Sequence, residues 1–269
     1  MILIVNPSQK MEVLLFTVQD VFELPVNREI IGKTLENVVK KFSFTRLNSI
    51  KKRTPLELLD NLVQGDLAKN SLLWYLRRHR ICLFDYDEIR RDNFKDPDPD
   101  WDISTPDERT FIEVKSSLPP DYLKRKKEKF SNRIVEDLDV KLTAAVSKQK
   151  LIPPQQLKAD IHIQVYYNAE RLNNQRLAAA RNNPVNQFDK IKKMIEPQPE
   201  AIVDLVEFKE RLTRPYFFGF CTRSEIEEYL EYLEKKGQSK TWEYEDCIYW
   251  RFPIHYARNM LRLIELLHE

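Results

Sequence analysis

Asp100-Trp101-Asp102-Ile103-Ser104 and Phe111-Ile112-Glu113-Val114-Lys115-Ser116-Ser117 flank Thr105-Pro106-Asp107-Glu108-Arg109, a run rich in turn formers. Apolar and polar residues alternate in the flanks, so the pattern predicts strand, turn, strand over 98–117. Alternation puts Glu113 and Lys115 on one face, roughly 7 Å apart along the strand. A hairpin partner brings Asp102 beside Glu113 on that face. Two carboxylates this close repel, and a hard divalent cation relieves the repulsion. Mg2+ is satisfied by one or two carboxylates, waters and a substrate phosphate. Such an ion acidifies a bound water and clamps phosphate oxygens. A neighbouring ammonium orients the water, assists its deprotonation or steadies the developing charge. The chemistry that suits this trio is phosphodiester hydrolysis. Two aspartates compete for the ion: Asp100 follows Pro99, whereas Asp102 has the parity that pairs with Glu113. Both project to the same side of an extended chain, and Asp102 is preferred.

Asp-(x)n-Glu-x-Lys across a hairpin resembles the PD-(D/E)XK nuclease superfamily. Trp101-Asp102-Ile103-Ser104 followed by Ile112-Glu113-Val114-Lys115-Ser116-Ser117 is similar to its Mrr-like and related restriction-type members. The resemblance implies an α/β (α+β) fold, a restriction-endonuclease-like core whose mixed central sheet is flanked by helices. It implies Asp102, Glu113 and Lys115 as catalytic residues. Mg2+ is expected on Asp102 and Glu113, with the Val114 carbonyl as a further ligand, Asp100 as the alternative acid and Mn2+ able to substitute. The implied activity is endonucleolytic cleavage of DNA in restriction or phage defence. The rival readings are a repair or RNA nuclease on the same core, and an inactive nucleic-acid-binding or assembly module. Cutting both strands needs two active sites, so a homodimer or a partner complex is expected. Related nucleases often carry a glutamate on the helix before the core sheet. Lys69 and Asn70 stand there in this chain, with Asp66 and Glu57 further back and Glu36 on the preceding helix. Two other Glu-x-Lys copies, at Glu207 and Glu234, lack an acid at hairpin distance.

Composition sets the frame for that site. At 269 residues and 42% hydrophobic content, the chain can bury a sizeable core, and 32% charge with only 4 glycines argues for a helix-rich globule. The net charge of +2 excludes an argument for nucleic-acid binding from overall charge, so a local basic face is required. The densest such run, Lys124-Arg125-Lys126-Lys127, lies near the acids and is the expected DNA contact. Cys82, Cys221 and Cys247 are far apart and odd in number, which supports neither a zinc site nor a disulfide framework. They are read as small hydrophobes in strands of a cytoplasmic protein. No apolar segment approaches the length of a membrane span.

The elements that must position the site follow from periodicity. Residues 1–64 form an N-terminal helical and strand segment, 65–170 the nuclease core, and 171–269 a C-terminal α+β extension. Helices are predicted over 28–42, from Thr54-Pro55 to a break at Gly65, and from there to about Arg80. Strands are predicted at 81–84, 160–167, 201–208, 216–221 and 242–252, and a helix over 131–150. Asp160, His162, Gln164 and Tyr166 share one face of their strand, which reads as half-buried and polar rather than as part of the site. Thr222-x-x-Glu225 opens a helix that stops at Gly237, Pro253 opens the last one, and 176–181 is a short surface helix. The C-terminal aromatics are read as core.

Overall fold

The computed structural model describes residues 15–44, 53–92, 94, 99–119, 130–146, 151–172, 184–244 and 247–269. The first apolar run, the basic run at 124–127 and the expected helix at 176–181 lie outside them.

Helix α1 (Arg28–Phe44) buries Ile30, Leu35, Val38 and Phe42 along one stripe. Helix α2 (Pro55–Arg78) starts at the expected cap. The Thr54 hydroxyl accepts from the Glu57 N–H, and the Glu57 carboxylate accepts from the Thr54 N–H. The break expected at Gly65 does not occur. Leu59, Val63, Leu67, Leu72 and Leu76 carry a continuous buried surface across it. Burying each of these gains more than the ~1 kcal/mol that a helical glycine costs.

Nine strands form two sheets among the described residues. Strands β1 (Phe22–Glu23), β2 (Phe84–Asp85), β3 (Ile103–Ser104), β4 (Phe111–Ser117), β6 (Ile161–Tyr167) and β7 (Pro215–Thr222) make a mixed sheet in the order β1-β7-β6-β4-β3-β2. Only β4 and β6 run parallel; every other neighbour is antiparallel. Strands β5 (Leu142–Val146), β8 (Thr241–Tyr244) and β9 (Cys247–Trp250) make a small antiparallel sheet in the order β5-β9-β8. The large sheet thus draws strands from all three expected segments.

That sheet separates two apolar layers. Ile112, Val114, Ile161, Ile163 and Val165 face α1, α2 and the other helices of one core. Tyr166, Phe218 and Cys221 face a second core with Leu142, Trp250 and Phe252. The second layer also holds Ile226, Leu230 and Leu233 of helix α8 (Arg223–Lys235). The Thr222/Glu225 capping box starts α8, and Gly237, at φ 65, lies just beyond it. Gly219, at φ 106, sits where β7 bulges against β6; a Cβ there would meet Ala257 Cβ at 2.7 Å.

Several expectations are corrected. The helix expected over 131–150 shrinks to α4 (Asn132–Glu136) and gives way to β5. Pairing with β9 buries Leu142 and Ala144, so sheet neighbours override the local pattern. The strand expected at 201–208 is helix α6 (Ala201–Leu205) followed by α7 (Phe208–Arg211). Ile202 and Val206, then Phe208 and Leu212, are buried four residues apart, which is helical spacing. Helix α5 (Pro184–Ile195), for which no element was expected, docks Ile191 and Ile195. At 81–84 only Phe84 joins a strand, and α3 (Tyr86–Ile89) follows it. The strand expected over 242–252 is the β8–β9 hairpin. The last helix, α9 (Met260–His268), starts later than Pro253, with Asn259 accepting from the Arg262 N–H at its cap. Cys221 and Cys247 are buried in strands, but Cys82 is exposed in a loop. No helix among the described residues is long and apolar enough to cross a membrane.

Candidate active site

The two faces of β4 set up the site. Ile112 and Val114 point into the helical core, so Phe111, Glu113 and Lys115 point the other way. The register Ile103↔Ile112 and Ser104↔Phe111 brings Asp102, the residue just before β3, against β4 beside Glu113. Strand β3 is shorter than expected. Asp100 takes a left-handed conformation at φ 45, which aspartate tolerates better than most residues, and the chain turns there. Shared strand parity therefore does not hold for the two acids. Asp100 is exposed on the turn and adds its field to Lys115, while Asp102 is tucked against β4.

Asp102 is held by backbone. Its N–H donates to the Ile112 carbonyl at 2.9 Å, and its Oδ2 accepts from the Val114 N–H at 2.7 Å. The side chain takes a ladder donor of β4 that no longer strand β3 is there to meet. Val114, expected to offer its carbonyl, grips Asp102 through its N–H. Burial pushes the Asp102 carboxyl up to about 6, because Lys69, the Val114 N–H and Lys115 only partly offset it and Glu113 adds repulsion.

Glu113 has the opposite balance. Lys115 Nζ contacts its Oε1, and His162 Nδ1 lies 2.9 Å from its Oε2. Burial opposes its charge, but Lys115 and His162 outweigh burial and bring the carboxyl down to about 2. Burial also works against the Lys115 charge, and Glu113, Asp102 and Asp100 together hold it protonated. Lys115 keeps 36% of its side chain exposed, so the ammonium reaches solvent.

The face of β6 read as merely polar borders the site, which corrects the sequence reading. Parallel pairing aligns Glu113 with His162 and Lys115 with Gln164. His162 is 1% exposed, and its Nε2 has no partner among the described residues. The contact to Glu113 is a hydrogen bond when Nδ1 carries the proton. Gln164 donates to the Lys115 carbonyl at 3.3 Å and accepts from the Lys141 N–H at 3.0 Å. The sequence holds one signal for this, the equal parity of His162 and Gln164 on a strand paired with β4. That parity has meaning only once the neighbour and register are known.

Lys69, on α2, belongs to a separate buried network. Its ammonium contacts Asp87 and lies 2.8 Å from Asp85. Lys41 reaches Asp66 at 2.6 Å and Asp87 at 2.7 Å, and Lys33 reaches Asp85 at 2.8 Å. Burial disfavours the Lys69 charge, but Asp66, Asp85 and Asp87 overcome it. The same lysine holds Asp85 and Asp87 ionised against their own burial. The network joins the site through β2: the Tyr86 N–H donates to the Asp102 carbonyl at 2.9 Å. Glu57 is spent on the α2 cap, and Glu36 is exposed on α1.

Two carboxylates close enough to repel form a donor set that suits a hard cation carrying most of its own waters. Asp102 fits best: it is half-buried and raised, and Oδ2 alone is committed to a hydrogen bond among the described residues. No cluster of three or more His, Cys, Asp or Glu side chains is placed to hold a metal among those residues. A cation here would rest on two protein carboxylates at most. No family model, characterised protein or solved structure matches the chain.

Proposed function

We propose that this protein is a metal-dependent endonuclease acting on DNA, built on a restriction-endonuclease-like core. The observation that carries the reading is the meeting of Asp102, Glu113 and Lys115 where β3 stops short beside β4. Asp102 and Glu113 are the residues to hold Mg2+ or Mn2+, which when bound would draw charge from the phosphate and acidify a water. Asp102 brings a carboxylate short of positive charge. Glu113 stays ionised across the neutral range, and His162 fixes its carboxylate plane. Lys115 is a cation, so it orients the water and steadies charge on the phosphate rather than accepting a proton. A role in phage defence follows from the restriction-type resemblance of the hairpin.

The test is supercoiled plasmid with Mg2+ or Mn2+. Nicked or linear product is expected, abolished by EDTA and by Asp102→Asn, Glu113→Gln or Lys115→Ala. One observation favours a second reading, a nucleic-acid-binding module without catalysis: α2 offers Lys69 where an acid would complete a metal shell. Wild-type protein that binds plasmid and leaves it intact with both metals makes that reading the better one.

A further inference from the structure

Five aromatic side chains crowd beside the candidate site: Phe84, Tyr86, Phe94, Trp101 and Phe111. Among the described residues, none of the five belongs to, or packs against, either hydrophobic core. Trp101 stands between Asp100 and Asp102. Its ring centroid is 4.8 Å from that of Phe111 and 5.0 Å from that of Tyr86. Phe111 shares its β4 face with Glu113 and Lys115, and the register Phe84↔Ser104↔Phe111 puts Phe84 on the same side. Phe84 is 39% exposed, and Tyr86, Trp101 and Phe111 are half-buried. Arg90 lies over the rings of Tyr86 and Phe94, which closes one end of the row. Aromatic area normally folds into a core; here it flanks charges directed at a phosphate.

We infer that Trp101 and Phe111, extended by Phe84, form a stacking platform for an unpaired base next to the phosphate held at Asp102, Glu113 and Lys115, so that the preferred substrate is single-stranded DNA, including the unpaired stretches that supercoiling opens in a plasmid. The inference rests on the nuclease reading for its phosphate. The ring faces select for the strand state: a base inside a duplex has both faces covered, whereas a single strand offers them. Stacking is tolerant of sequence because every base has a π face.

Binding in EDTA separates this inference from catalysis. The probes are a fluorescent 20-mer of thymidylate and a mixed-sequence duplex of equal length, at fixed salt. The single strand is expected to bind more tightly. Trp101→Leu, which keeps apolar bulk, should weaken that binding about 5- to 150-fold, as loss of one base–aromatic stack does. Trp101→Phe should restore most of it, and Phe111→Leu gives an independent second measurement should the first variant fold poorly. Equal or tighter duplex binding, no binding of either probe, or Trp101→Leu and Phe111→Leu at wild-type affinity overturns the inference. Stacking without cleavage in Mg2+ or Mn2+ removes the nuclease reading and leaves the platform. Cleavage of duplex plasmid that ignores Trp101→Leu removes the platform and leaves the nuclease.

Discussion

Two charged clusters, one buried and one half-buried, lie side by side in this protein and are balanced differently. Around Lys69, ammonium groups and carboxylates alternate: Lys41, Lys69 and Lys33 bridge Asp66, Asp87 and Asp85. Around Glu113 the charge is uneven. Glu113 is gripped by Lys115 and His162, while Asp102 next to it rests on a single backbone N–H. The first cluster pairs each ammonium with at least one carboxylate and keeps its charges away from solvent, although burial still raises Asp66, and it reads as structural. The second leaves a carboxylate raised and an ammonium open to solvent, which is how groups meant for an external ligand are kept. Lys69 touches both clusters electrostatically, and its acids outcompete Asp102 for it.

The largest expected effect sharpens the contrast from the reactive side. Lys115→Ala should lower plasmid cleavage by about a hundred- to ten-thousand-fold, with a loss of stability in urea smaller than that of Lys69→Met because Lys115 and Glu113 reach solvent. An intact rate would make Lys115 a mere counter-ion to Glu113. The reverse pattern is expected of the neighbouring cluster. Lys69→Met strands ionised carboxylates in the interior and should cost about 3–5 kcal/mol of stability in urea melts. A loss under 1 kcal/mol would mean that the network relaxes around the missing ammonium.

Proton titration tests the imbalance directly. The folded Asp102 carboxyl lies at about 6, above its ordinary 3.8, so folding favours the protonated form. Stability on its account is full below the ordinary value and is lost as pH rises through about 6. Asp102→Asn should therefore stabilise the protein by about 1–3 kcal/mol at pH 8 and by little near pH 4. A pH-independent gain would sink the assignment. Glu113 carries the opposite sign: stability present above 4.5 drains as pH falls towards about 2, and Glu113→Gln should flatten that loss. The smallest effect concerns His162. Asn places a donor near the Nδ1 position and Gln does not, so His162→Gln should slow cleavage about tenfold while His162→Asn stays near wild type. Equal losses in both would assign His162 to packing alone.

The hairpin was readable because its information is local. Turn formers sit between alternating flanks, and alternation alone places Glu113 and Lys115 together. The Thr54 and Thr222 capping boxes were equally plain, since each closes within three residues. The misses share a cause. Leu142–Val146 and Ala201–Leu205 are apolar stretches whose state depends on what lies opposite: aromatic β9 draws one into a sheet, and the helical core takes the other as a helix. Gly65 stayed helical because buried leucines on both sides outweighed it.

Residue order alone was enough to say which side chains could do chemistry and that one short hairpin would carry them. It could not say that His162 would close on Glu113, that Asp102 would lean on the Val114 N–H, or that Lys69 would be claimed by other acids. Those outcomes depend on pairing across 49 residues between Glu113 and His162 and on helix-to-strand packing between Lys69 and Asp85. Burial then decides charge: the same carboxyl chemistry is driven up at Asp102 and down at Glu113 because partners, supplied by other parts of the chain, reach one and only partly reach the other.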